Sequence, residues 1–147
     1  MKTDPKKVHT AKEFKCKAPL INGRFHPSGT SFFATAEDRT ITRIDLADEK
    51  QTIYEGHESW VGGIEFTKDG GTLITSGFDD TLIWWPTTGD SPKPIRTAKA
   101  HDGWIRSLAV SPDGALLASA GNDRVVRLWK AADGSKVREL KGHKREV

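Results

Sequence analysis

With 147 residues, 14 glycines, five tryptophans and 35% apolar content, the chain can bury one core and is composed for short strands and tight turns rather than long helices. No stretch reaches the roughly 20 apolar residues of a membrane helix, and MKTDPKKVHTAKEFK lacks the apolar core of a signal peptide, so an intracellular location with no membrane partner is expected. The net charge of +3 is uneven, with +4 on residues 1–17, +3 on residues 136–147 and −4 between them, while a lone Cys16 excludes an internal disulfide and a cysteine metal cluster.

In chain order, residues 1–9 read as a flexible basic lead, and residues 10–147 as the structured part. Lys12 to Lys17, KEFKCK, alternates Phe14 and Cys16 with lysines, as a half-exposed edge strand would. Strands are then predicted near Ile21–His26, Ser31–Thr35, Thr40–Leu46 and Gln51–Glu55, a first unit of about residues 18–55. Its turns are marked by Pro27-Ser28-Gly29 and Glu37-Asp38-Arg39. A second unit, about 57–99, has predicted strands near Val61–Thr67, Thr72–Ser76, Thr81–Trp85 and Pro94–Ala98. A third, about 101–141, has them near Ile105–Ser111, Leu116–Ala120, Val125–Lys130 and Val137–Lys141. These strands do not alternate cleanly, which fits small sheets covered on both faces.

The second and third units are copies. His57, Thr75, Asp79 and Trp85 lie at offsets 0, 18, 22 and 28, and so do His101, Ser119, Asp123 and Trp129, giving a repeat of 44 residues. A period of this length, opening at Gly-His or similar and closing at Trp, resembles the WD-repeat β-propeller family, although Pro86 and Lys130 follow the tryptophans where the family has Asp. The resemblance implies an all-β fold of three four-stranded antiparallel sheets, each a propeller blade, forming an incomplete ring in one chain. It also implies that the eight matched residues tie inner strands to outer ones. Their chemistry allows this, because imidazole, hydroxyl, carboxylate and indole can pass hydrogen bonds along one line. In the first unit, aligned at a shift of 41 residues, Cys16, Ala34 and Ile44 replace three of the four and Asp38 remains. Gly142-His143 opens a fourth repeat over residues 142–147. Three blades do not close a ring of about four to eight; the expectation is either a piece of a longer propeller or identical chains completing the ring as a homo-oligomer.

His101, Ser119 and Asp123 are also the residue types of a hydrolase triad, but Ser119 falls inside a predicted strand with no sharp Gly-flanked turn. A structural network is therefore expected and no catalytic residue. His9, His26, His57, His101 and His143 lack metal-ligand spacing, so no metal is expected. Gly62-Gly63 and Gly70-Gly71 lack the lysine and helix of a phosphate loop, so no cofactor is expected. Trp60 and Trp104 follow the histidines by three residues, where the resemblance places the rim around the central channel. They are candidate partner-binding residues, with Glu58, Asp102 and Arg106 adding charge selectivity, and their alternative role is to cover a loop and the neighbouring blade. The expected function is a non-catalytic scaffold for a protein or peptide partner. Nucleic-acid association through the Lys-rich termini is the alternative, and a regulatory part of a larger enzyme a third.

Overall fold

A computed structural model describes residue 10 and residues 12–145. The expected lead, 1–9, lies outside the described residues, as do the last two residues of the fourth-repeat start. Among the described residues twelve strands follow one another: β1 Leu20–Phe25, β2 Ser31–Ala36, β3 Thr40–Asp45, β4 Gln51–Glu55, β5 Val61–Phe66, β6 Thr72–Gly77, β7 Thr81–Pro86, β8 Arg96–Lys99, β9 Ile105–Val110, β10 Leu116–Gly121, β11 Val125–Lys130 and β12 Lys136–Lys141. They form three separate four-stranded antiparallel sheets, each in sequence order. Among the described residues no helix is long and apolar enough to cross a membrane.

The hairpins repeat because their turn chemistry repeats. Gly29, Gly70 and Gly114 occupy one place in the first turn of each sheet, at φ of 73°, 73° and 80°, where glycine has no steric cost. At the second turn, Arg39, Asp80 and Arg124 take φ of 73°, 68° and 65°. The preceding aspartates hold that turn closed: Asp38, Asp79 and Asp123 accept the amides of Thr40, Thr81 and Val125.

The sheets pack side by side in chain order, β5 touching β1 and β2 on one side and β9 on the other. One core joins Phe33, Ile41 and Tyr54 of the first sheet to Ile64, Phe66, Leu73 and Trp85 of the second. Another joins Ile74, Leu82 and Trp84 of the second to Ile105, Leu117 and Trp129 of the third. Polar ties repeat at the same places. Arg43 donates to the Thr87 carbonyl at 3.0 Å, and Trp84, 41 residues on, donates to the Ala131 carbonyl at 3.0 Å. The middle sheet is thus covered on both faces, which explains its unbroken apolar runs. Every residue of β1 is exposed. The innermost strands of all three sheets line one hollow of about 220 Å³, where Arg24 pairs with Glu65.

Two expectations are corrected. The KEFKCK segment is not a strand: residues 12–16 join no ladder. Phe14, Cys16 and Ala18 are half-buried between exposed neighbours, so the alternation reports one-sided burial against the first sheet without main-chain pairing. The segment is held instead by Lys12, which pairs with Glu49 at 2.8 Å and donates to the Leu46 carbonyl, and by Gln51 donating to the Lys15 carbonyl. The outer strand of the second sheet begins at Arg96 rather than Pro94, since proline has no N–H for the ladder.

Candidate functional site

In the second sheet β6, β7 and the loop before β5 bring His57, Thr75, Asp79 and Trp85 into one line. The Trp85 indole N–H donates to Thr75 Oγ1 at 2.8 Å, Thr75 Oγ1 meets His57 Nε2 at 2.8 Å, and His57 Nδ1 meets Asp79 Oδ2 at 2.8 Å. The third sheet repeats the line. Trp129 donates to Ser119 Oγ at 2.9 Å, Ser119 meets His101 Nε2 at 2.7 Å, and His101 Nδ1 meets Asp123 Oδ1 at 2.9 Å. A neutral imidazole that carries its proton on Nδ1 satisfies every member. Burial raises the pKa of Asp79, but the hydrogen bonds from His57, Thr81 and the Glu58 amide outweigh it and leave the carboxyl well below its ordinary range. Asp123 behaves alike, with His101 and Arg127 as donors. Burial also pushes the His101 pKa down, more than the Asp123 charge raises it.

Thr75 and Ser119 are 0% and 1% exposed, and both hydroxyls are engaged by ring nitrogens on two sides. A nucleophile needs an open approach to its substrate, and the burial of these two hydroxyls denies them one. In the first sheet Ala34 and Ile44 take the hydroxyl and indole places, Cys16 lies in a pocket beside Asp38, and Asp38 holds only its turn.

The rim carries a different arrangement. Trp60 and Trp104 immediately precede β5 and β9 and are 45% and 46% exposed. Between them stands Phe78, just after β6. It lies 6.0 Å from Trp60 at 35° and stacks on Trp104 at 4.8 Å and 6°. The Arg106 guanidinium sits 5.0 Å from the Trp104 ring and 5.6 Å from Phe78, with Nε donating to Asn122 at 2.8 Å. The row is aligned by the main chain, since Phe78 N–H donates to the Trp60 carbonyl and Asn122 N–H to that of Trp104. Pro19 and Glu37 make the same bond in the first sheet, so the aromatic row spans only the second and third. Glu58 and Asp102 enter chiefly through their amides, which donate to Asp79 and Asp123, and the Asp102 carboxylate lies 3.8 Å from Lys99.

Sequence reasoning missed Phe78 and Arg127. Phe78 has no counterpart, its place being Glu37 and Asn122 in the other units, so repetition could not point to it; an aromatic in a turn between polar residues was the available signal. Arg127 replaces the Ile83 of the second unit and links Asp123 to Glu139. Among the described residues no three His, Cys, Asp or Glu side chains converge to hold a metal.

Antiparallel four-stranded sheets, packed side by side through shared apolar cores and sharing an inner hollow, define a repeat protein of propeller type. The family model WD40 (WD domain, G-beta repeat) matches residues 48–86 and 92–130, and the chain belongs to that family. It is similar to DDB1- and CUL4-associated factor 10 of Xenopus laevis, with 45% identity over 58 residues, covering 37% of this chain and 13% of that protein. The Homo sapiens protein of the same name is 43% identical over 58 residues, covering 37% of this chain and 10% of its own length. This chain therefore matches only a small part of those relatives. Among solved structures, U3-55K superposes with a TM-score of 0.83 at 21% identity, covering 91% of this chain and 42% of that one. The RRP9 WD40 repeats superpose at 0.82, also at 21% identity, with the same coverage. At that identity the likeness speaks for the fold.

Proposed function

We propose that the chain is a non-catalytic scaffold that holds a protein segment against the rim row of Trp60, Phe78 and Trp104. The carrying observation is that these stacked rings remain nearly half exposed at both ends, with Arg106 laid against them. Rigid aromatics and arginine supply large contact area at low entropic cost. The two ladders serve as internal braces, a role supported by their buried, fully bonded hydroxyls. Panning a random dodecapeptide display library on the wild-type chain and on the Trp60→Ala/Trp104→Ala variant tests the rim. Binders recovered only by wild type are expected, with the circular-dichroism spectra alike; equal recovery by a folded variant overturns the proposal, and a variant that unfolds assigns the tryptophans to packing.

The scaffold would act within a larger assembly. Its two open flanks suit further blades, from a second copy or from a longer propeller. The resemblance to DDB1- and CUL4-associated factors makes DDB1 the first assembly partner to try. Co-elution with purified DDB1 in size-exclusion chromatography would support that reading, and separate peaks would confine the likeness to the blades. For the nucleic-acid alternative, binding driven by phosphate contacts should weaken steeply between low and physiological salt, whereas apolar docking should not.

A further inference from the structure

The rim row does not end in neutral surface. Beyond Trp104, the Arg106–Asn122 hydrogen bond leads directly into an open basin of about 650 Å³ lined by Asn122, Arg124, Lys144 and Arg145. Arg124 stands there because the second turn of the third sheet forces it into the left-handed region at φ 65°. Lys144 and Arg145 come from the chain just beyond β12. Among the described residues no carboxylate lies within ion-pair distance of Arg124, Lys144 or Arg145. The sequence between the basic ends is net negative, so this concentration of positive charge is local. At the same turn the second sheet has Asp80 in place of Arg124.

Resting on the scaffold reading, we propose that the rim recognises an acidic peptide in two parts: an apolar anchor laid on the Trp60–Phe78–Trp104 row, followed by Asp or Glu side chains entering the Arg124–Lys144–Arg145 basin. The dimensions agree. The centroid steps of 6.0 and 4.8 Å along the row correspond to about three extended residues at ~3.3 Å each, so a peptide anchored at the Trp60 end runs about three positions before it passes Trp104 toward the basin. Opposite charge in a basin that several cations share steers association and selects against neutral or basic segments. Nucleic acid fits this face less well. Stacked bases need open ring faces with cations running alongside the backbone, whereas Phe78 has its faces turned to Trp60 and Trp104 and the cations gather at one end.

The composition of the panned pool is the test, with a third bait, Arg124→Glu/Lys144→Glu/Arg145→Glu, whose side chains are all exposed and whose melting temperature should match wild type. Wild type should select peptides with an apolar residue followed within about three positions by Asp or Glu. A synthetic peptide from that pool, with its acids replaced by amides, should bind at least about tenfold more weakly, and the charge-reversed chain should lose the acidic peptide by a similar factor. A pool lost on Trp60→Ala/Trp104→Ala but free of acidic enrichment would overturn the acidic specificity and leave the scaffold reading standing. No pool above background would overturn both. Tight binding of a twelve-nucleotide oligothymidylate, abolished by the charge reversal while the acidic peptide fails to bind, would assign the basin to nucleic acid.

Discussion

At the scale of single residues the ladders behave as one unit. Removing the imidazole in His101→Ala leaves the Ser119 hydroxyl and the Asp123 carboxylate short of a partner in a nearly closed space. An unsatisfied buried polar group costs about 1–3 kcal/mol, so urea unfolding of this variant should show a stability loss of about 2 kcal/mol or more. Trp85→Phe deletes the donor to Thr75 and also leaves a void where the indole packs in the core against Tyr54, so it should cost about 2 kcal/mol or more. The pH dependence follows from the directions. His101 titrates below its ordinary 6.5 when folded, so the unfolded chain binds the extra proton and stability falls as pH drops below 6.5. Asp79 and Asp123 titrate well below their ordinary 3.8, so their contribution is present above that value and is lost as pH falls beneath it. Urea midpoints should therefore be level near neutrality, decline gently below 6.5 and drop steeply in acid, and Asp79→Asn/Asp123→Asn should flatten the acid limb while lowering stability at neutral pH.

At the scale of elements the first turns separate local from inter-sheet energetics. Gly29 and Gly70 share φ of 73°, so an alanine at either place pays the left-handed penalty of roughly 1–2 kcal/mol. A Cβ on Gly29 meets nothing within 4 Å, whereas one on Gly70 would come within 2.8 Å of His26 Nε2, which hydrogen-bonds the Gly70 carbonyl across the sheets. Gly70→Ala should lower the melting temperature more than Gly29→Ala, and equal shifts would deny His26 any role in joining the sheets. Element by element, the repeated turn chemistry made the hairpins of all three sheets readable. The fate of residues 12–16 was not readable in that way. Alternating burial is a property of one segment, but a strand requires an unpaired edge beside it, and that edge is a matter of packing.

The whole molecule is asymmetric in its coverage. Phe25 and Phe66 occupy equivalent places 41 residues apart, yet Phe25 is 61% exposed while Phe66, shielded by the first sheet, is 6% exposed. On the far flank, Leu128 stands where Arg43 and Trp84 donate to the next sheet, so the third sheet offers apolar contact there without that hydrogen bond. On the near flank Lys12 supplies the equivalent bond to Leu46 from the leading segment. Hydrogen exchange should thus be slowest in β6 and β7 and fast in β1 and β12. Exposed flanks of this kind favour association. Light scattering should give a mass that rises with concentration, and Phe25→Glu should suppress the rise; a concentration-independent monomer would assign the flanks to solvent.

Spacing within a repeat determined what lies within a sheet: hairpins, the 44-residue period, and ladders whose members sit a fixed number of residues apart, because strand register converts offset into position. Only the tertiary structure decided what lies between sheets. The aromatic row joins Trp60 and Phe78 to Trp104 of the next unit, Arg24 of the first sheet pairs with Glu65 of the second, and Arg43 and Trp84 each donate to a carbonyl of the following sheet. Those contacts depend on the angle and depth at which neighbouring sheets meet, which packing of whole faces sets and no local spacing encodes.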